Sequence, residues 1–178
     1  MPYLIIYYEV TLKMSNYVLI MAPAIILASV FTFFYGRAYD KWGFEKSALP
    51  SILILILGYI LLFFFKGVAL VFVGSLLMMC GYLAGMAVFG AVIRDKIPEN
   101  KAGMFQGLRI VCQVLIPGVI GPFIGKQVLK NAELLVNNDG TTLFIPNANI
   151  YLAALVVAVL VVGLLIAYKC LFVKKKEK

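Results

Sequence analysis

The sequence contains no histidine, only three cysteines and few charged residues, which make up 13% of its 178 positions. A typical soluble domain carries about twice that share of charge, so this chain lacks the polar residues needed to coat a water-soluble globule. Cys80, Cys112 and Cys170 are odd in number and lie far apart in apolar runs, which excludes a disulfide-stapled domain and a clustered metal site. Buried packing is the usual role of such cysteines.

Catalytic signatures are missing as well. The sequence has no His-Glu-x-x-His helix, no glycine-framed serine and no pair of acids within an apolar segment, so we do not expect an enzyme. It has no glycine-rich phosphate-binding loop either, which excludes nucleotide hydrolysis as an energy source. We therefore expect no catalytic residue, no metal site and no cofactor.

Long apolar runs dominate what is present. Apolar residues make up 63% of the chain and the mean hydropathy is +1.01. A helix needs about 20 apolar residues to cross a hydrocarbon core of about 30 Å. Five segments meet that length: residues 17–35, 48–65, 68–93, 104–128 and 150–173. Because these runs do not alternate as barrel strands do, the predicted fold is an all-α membrane protein, a polytopic helix bundle forming a single domain over residues 1–178.

Residues 2–12 form an apolar segment of only half that length. A helix over this range would be about 16 Å long and could not cross the bilayer. The segment does not suit a secretory signal, because it lacks a basic lead and is interrupted by Glu9. We therefore expect it to be the end of a helix that begins upstream of Met1.

Basic residues lie between the apolar segments and alternate from one side to the other. They are concentrated in residues 36–47, in residues 94–103 and in the tail, residues 174–178. The positive-inside rule makes these three regions cytoplasmic. The protein would therefore lie in the cell membrane, with its C-terminus on the cytoplasmic side. Because the net charge of +8 is scattered in this way, the expected partner is the lipid bilayer and not nucleic acid.

The longest connection, residues 126–149, lies on the opposite side. Its Asn138-Asp139-Gly140 turn signal and Pro146 predict a small outer cap. A short strand over residues 141–145 is an alternative that the propensities favour only weakly.

The densest cluster of charge and glycine lies between the first two full spans: Gly36-Arg37-Ala38-Tyr39-Asp40-Lys41-Trp42-Gly43-Phe44-Glu45-Lys46. Asp40 can accept hydrogen bonds from a helix N-terminus or pair with a base, and Gly43 permits a tight turn. A plain charged loop is the alternative. The spacing Gly-x-x-x-Asp-(Arg/Lys)-x-Gly-x-x-(Arg/Lys) resembles the loop signature of the major facilitator superfamily, although Phe44 stands where that family usually has a base. The matching positions are Gly36, Asp40, Lys41, Gly43 and Lys46.

The next charged connection, Arg94-Asp95-Lys96-Ile97-Pro98-Glu99-Asn100-Lys101-Ala102-Gly103, strengthens the resemblance. It is similar to the link between the tenth and eleventh helices of these transporters, where acids and bases form latches on the inner side. Together with Gln106-Gly107-Leu108-Arg109 and Ile116-Pro117-Gly118-Val119-Ile120-Gly121-Pro122, it resembles the glycoside-pentoside-hexuronide:cation symporter branch. The resemblance implies a cytoplasmic gate formed by Gly36, Asp40, Lys41, Gly43, Arg94, Asp95, Glu99 and Arg109.

The resemblance also implies that the chain is the C-terminal six-helix half of a secondary active transporter, with residues 2–12 ending the seventh helix. Its function would be symport of a sugar, glycoside or similar small polar solute by alternating access, coupled to H⁺ or Na⁺. The acids that bind the ion would belong to the N-terminal half, so the expected partners are the solute and that half or a partner chain. The alternative is a standalone half-length membrane protein with a structural or accessory role, which would need a partner or self-association.

One span carries a polar stripe. Gln106, Arg109 and Gln113 follow an i, i+3, i+7 pattern and so share one helical face, which is costly in lipid and should face a cavity or a partner helix. Arg109 lies near the cytoplasmic end, so snorkelling to the interface, or pairing with Asp95 or Glu99, is the structural alternative. Gln113 lies deeper and is a candidate for the solute path.

Three further residues are candidates for that path. Tyr82 could stack on a sugar, although plain packing also explains an aromatic at this position. The seventh helix of the symporters lines the solute cavity, which makes Tyr8 and Glu9 candidates as well. An interfacial aromatic belt is the alternative explanation for the tyrosine.

Overall fold

The computed structural model describes residues 2–14, 16–98, 101–136 and 142–173. Helix α1 spans Pro2–Ile6 and continues as a π-helical turn over Tyr7–Thr11. The remaining elements follow in chain order: α2 Tyr17–Phe64, α3 Val68–Lys96, α4 Ala102–Ile110, a π-helical turn Val111–Leu115, α5 Ile116–Val128, β1 Leu134–Val136, β2 Thr142–Phe144, α6 Asn149–Tyr168 and a last π-helical turn Lys169–Val173.

Four helical stretches of the described residues are long and apolar enough to cross a membrane: Tyr17–Phe64, Val68–Lys96, Ala102–Val128 and Asn149–Leu171. The prediction of an all-α polytopic membrane fold is confirmed. The first stretch holds 48 residues and would be about 72 Å long as a straight helix, more than twice the hydrocarbon thickness. It contains the first predicted span, residues 17–35, and all but the last residue of the second, residues 48–65.

A single residue, Gly43, separates the two parts of α2. Its backbone angles, φ 72° and ψ 179°, are not helical, whereas the predicted loop over residues 36–47 is otherwise helical. The Tyr35 hydroxyl donates a hydrogen bond of 2.6 Å to the carbonyl of Ser47, twelve positions along the chain. Twelve residues of straight helix rise about 18 Å, so the chain folds back at Gly43. Burial of Tyr35, Tyr39 and Ser47 explains why helix persists where charge predicted a loop.

The chain divides into two compact units. One contains Met1–Tyr17 and Ala91–Ile150, and the other contains Val18–Gly90 and Tyr151–Lys178. The single transmembrane domain expected over residues 1–178 stays a prediction.

The second unit owes its packing to small residues where α2 meets α3. A Cβ atom at Gly81 would lie 2.6 Å from the Cα of Leu55, and one at Gly58 would lie 2.7 Å from the Cα of Met78. Real side chains do not come so close, so only glycine permits this separation of the two backbones. The buried Ser75 hydroxyl bonds to the carbonyl of Val71 in its own helix, which satisfies it inside an apolar core.

The first unit contains the outer connection. Strands β1 and β2 pair antiparallel, with Leu134 opposite Phe144, so the strand alternative for residues 141–145 holds over Thr142–Phe144. The predicted Asn138-Asp139-Gly140 turn lies outside the described residues. The Thr11 hydroxyl donates a hydrogen bond to the carbonyl of Pro146 and so ties the end of the first helical segment to this connection.

Candidate solute path and gate

The polar stripe predicted for the fourth full span lies on α4 and on the π-helical turn that follows it. Nε of Arg109 donates a hydrogen bond of 2.8 Å to Oε1 of Gln113, and both side chains are half-buried. Gln106, the third member of the stripe, is exposed. The i, i+4 spacing brings the guanidinium and the amide together on one face, as the sequence predicts.

The π-helical turn has a local cause. Pro117 follows it and lacks the backbone N–H that would bond to the carbonyl of Gln113, so the regular ladder cannot continue there. A π-helical turn placed before such a proline is a common way for a helix to absorb the mismatch. The turn carries Gln113 and thereby sets its direction relative to Arg109.

The bond to Gln113 directs Arg109 along the helix away from the charged connection before α4. Within the described residues Arg109 forms no ion pair, and the only ion pair there joins Arg94 to Asp95. A guanidinium has five N–H donors, and this bond uses one of them. The remaining donors suit an oxygen-rich group, such as a sugar hydroxyl or a carboxylate.

The helical stretch that carries this pair has little packing of its own. No described residue of Ala102–Val128 is buried, even though the stretch is apolar enough to span a membrane. A half-buried guanidinium and amide on such a helix are costly in lipid unless they face a polar cavity or another helix.

Tyr8 and Glu9, predicted near the same path, differ sharply in exposure. Tyr8 is completely buried, and its ring meets that of Tyr7 edge to face at 5.9 Å. Glu9 is exposed on the same π-helical turn. In this conformation only Glu9 of these two candidates can reach a solute.

Tyr82, the last path candidate, lies on α3 and is 42% exposed. The ring is therefore open enough to stack on a flat ligand face. Its role in solute binding stays a prediction.

The predicted gate residues of the second unit lie on α2. Asp40 and Lys41 are both exposed, and neither forms an ion pair among the described residues. One turn earlier, the Arg37 guanidinium stacks over the Phe33 ring at 4.5 Å. The chain folds back at Gly43, two residues after Lys41, so the turn that the motif predicts is present. The residues on either side of Gly43 are helical.

Of the other gate candidates, Arg94 and Asp95 form an ion pair of 3.2 Å at the end of α3, with side chains 70% and 47% exposed. An exposed pair of adjacent residues contributes little to stability, and the gating role of Arg94 and Asp95 stays a prediction. Glu99 lies outside the described residues.

A family model described as Major Facilitator Superfamily matches residues 1–178, the whole of the chain. The chain belongs to the major facilitator superfamily. Members of this family are transporters rather than enzymes. No curated protein and no solved structure matches the chain significantly.

Several contacts of this facilitator chain have no local sequence signal. The Tyr35 bond to Ser47 joins residues twelve positions apart, and the Thr11 bond to Pro146 joins residues 135 positions apart. The Arg37 stack on Phe33 is the one that an i, i+4 search for cation–aromatic pairs could have found.

Proposed function

We propose that this chain is the C-terminal half of a cation-coupled symporter that moves a sugar, a glycoside or a similar small polar solute by alternating access. The observation that carries the proposal is the hydrogen-bonded pair of Arg109 and Gln113 on an otherwise exposed apolar helix. Sugar hydroxyls can accept hydrogen bonds from the guanidinium and exchange them with the amide.

The assignment to a C-terminal half rests on the motif around Asp40 and on the connection that begins at Arg94. The unburied stretch Ala102–Val128 supports it, because paired six-helix halves enclose the solute between them and each half must present a helix face to the other. The coupling ion, H⁺ or Na⁺, would bind acids of the N-terminal half.

The basic connections support a cell-membrane location with a cytoplasmic C-terminus. The lysine-rich tail, residues 174–178, lies outside the described residues. On that cytoplasmic side, the turn at Gly43 would hold Asp40 and Lys41 at a fixed point of the gate, while Arg94 and Asp95 would form its second contact with Glu99. Arg109, bonded to Gln113, belongs to the solute path in this proposal.

Uptake into proteoliposomes tests the proposal. The complete membrane product that carries this chain is reconstituted, a proton or sodium gradient is imposed, and a panel of labelled glycosides is offered. Arg109→Gln should lower kcat/KM by about tenfold or more, the loss expected for a hydrogen bond to a charged group. Lys126→Gln is the matched control, since it removes one positive charge from an exposed position on the same helical stretch and should leave uptake near the unmodified level. Equal uptake by both variants would refute the role of the pair.

The alternative is a standalone half-length membrane protein that associates with itself or with another chain. The same unburied stretch favours it, because that face needs a cover whether or not solute is moved. Two measurements separate the alternatives. An intact native mass near 19.7 kDa, together with disulfide cross-linking between exposed Cys112 residues of two copies in a Cys170→Ser background, would support it. A mass more than twice as large would favour the symporter.

A further inference from the structure

The first helical segment ends in a wide turn that carries Glu9. This π-helical turn, Tyr7–Thr11, is closed by a hydrogen bond of 3.0 Å from the Leu12 amide to the Tyr7 carbonyl, five positions back. Lys13 then has a φ of 52°, a left-handed conformation that ends the segment. Turns of this kind are often found at functional sites.

Glu9 is the only acidic residue among residues 2–14. It is exposed, whereas Tyr8 beside it is completely buried. The exposure of Glu9 therefore depends on how the turn is held in place. A carboxylate accepts hydrogen bonds, so Glu9 can bind a solute that carries hydroxyl groups.

A side-chain hydrogen bond ties this turn to the connection between α5 and α6. The Thr11 hydroxyl donates it to the carbonyl of Pro146. Thr11 lies two positions after Glu9, at the end of the same turn. Thr11 is half-buried and Pro146 is fully buried, so little water competes for the bond.

The acceptor of this bond is held on both sides along the chain. Before it, the Ile145 amide donates a hydrogen bond of 2.8 Å to the Glu133 carbonyl, which extends the pairing of β1 and β2. After it, the Asn149 amide donates a hydrogen bond of 3.1 Å to Oδ1 of Asn147, which forms an Asx turn at the start of α6. Proline itself fixes one backbone dihedral. The Pro146 carbonyl is therefore a fixed point for the wide turn.

We propose that Thr11 is a positioning residue of the solute path. Its bond to Pro146 fixes the direction of Glu9, and Glu9 accepts hydrogen bonds from the hydroxyl groups of the solute. Thr11 itself does not contact the solute. This assignment rests on the proposed function, because it gives Thr11 a part in binding the same small polar solute.

Uptake kinetics of the complete transporter in proteoliposomes test the role of Thr11. The substrate is the labelled glycoside that the unmodified protein takes up most. Thr11→Val keeps the branching of the side chain but removes the donor, and should raise KM by about two- to tenfold, the factor of one hydrogen bond. The value of kcat should change little, because a residue that only orients a binding group affects the ground state and the transition state alike. Thr11→Ser keeps the hydroxyl and should restore KM.

A double-mutant cycle with Glu9 separates positioning from plain stabilisation. Glu9→Gln should itself raise KM, and Thr11→Val added to it should cause no further rise, because no carboxylate is left to position. A loss of stability alone would act equally in both backgrounds. Thr32→Val is the matched control: it removes another half-buried hydroxyl, which bonds at 2.8 Å to the Ala28 carbonyl within α2, and should leave KM unchanged.

The outcomes distinguish the role of Thr11 from the proposed function. If the unmodified protein takes up the glycoside, an unchanged KM in Thr11→Val, or an effect of Thr11→Val that persists in full beside Glu9→Gln, would overturn the role of Thr11 alone. Absence of uptake by the unmodified protein would overturn both. Circular dichroism should show unchanged helix content in every variant, and Thr11→Ala gives the same comparison if Thr11→Val does not insert.

Discussion

The contact between α2 and α3 at Gly81 makes a quantitative prediction for a single methyl group. In Gly81→Ala the added Cβ would lie 2.6 Å from the Cα of Leu55, which is backbone and cannot rotate away. The two helices must separate, and overpacking of this kind costs about 1–3 kcal/mol. Alanine also favours helix over glycine by up to about 1 kcal/mol, which partly offsets that cost.

Gly85→Ala is the matched control, one turn further along the same helix. A Cβ atom there has only the Ser51 hydroxyl within 4 Å, at 3.9 Å, which is an ordinary contact. This variant receives the same gain in helix propensity without the overlap. The propensity therefore cancels between the two variants, and Gly81→Ala should be less stable than Gly85→Ala by about 1–3 kcal/mol.

Unfolding in mixed micelles with a rising fraction of sodium dodecyl sulfate, followed by circular dichroism, measures this difference. The midpoint for Gly81→Ala should fall below that for Gly85→Ala. If the two midpoints coincide, the backbones of α2 and α3 do not approach at Gly81 as closely as described.

Three further predictions concern the fold-back and the gate. Gly43→Ala should lower the free energy of unfolding by about 1–3 kcal/mol, because the backbone angles of Gly43 are essentially restricted to glycine. Gly36→Ala is the control and should not lower it, because Gly36 lies in regular helix with open space around it. The same micelle titration compares the two variants. Tyr35→Phe removes the hydroxyl that bonds to the Ser47 carbonyl and should lower that free energy by about 0.5–1.5 kcal/mol, so an unchanged midpoint would show that the bond does not hold the fold-back. Asp40→Asn in the complete transporter should slow solute uptake severalfold while solute binding is kept, and unchanged uptake would contradict the gating role.

The membrane spans were predictable because their signal is local. Residues 68–93 are apolar over their whole length, and the structure has a helix over Val68–Lys96 that differs from the prediction by only a few residues at one end. The continuity of α2 was not predictable in the same way. Charge around Asp40 and Lys41 is typical of a loop, while the burial of Tyr39 that favours helix there depends on contacts that no local pattern encodes.

In the candidate solute path, too, some features follow from the local sequence and others depend on distant contacts. The spacing of Arg109 and Gln113 predicts a shared face, and the hydrogen bond between them agrees with it. Tyr8 and Glu9 are adjacent and equally plausible from sequence, yet one is buried and the other exposed. In the same unit, a Cβ at Gly125 would lie 2.6 Å from the Tyr3 ring, a contact between two separate segments of the chain. Burial produced by such distant contacts requires the three-dimensional structure.

The fold-back at Gly43 has a mechanical consequence. The helical part of α2 beyond it is about 31 Å long, so a change of about 10° in one dihedral of Gly43 would move its far end by about 5 Å. That sideways displacement is more than half of the roughly 8–10 Å that separates the axes of packed helices, so it would change how the span packs against α3. The 2.6 Å hydrogen bond from the Tyr35 hydroxyl to the Ser47 carbonyl joins the two parts of α2 across the fold-back and restrains the angle between them. The two spans are therefore expected to tilt together as one rigid body.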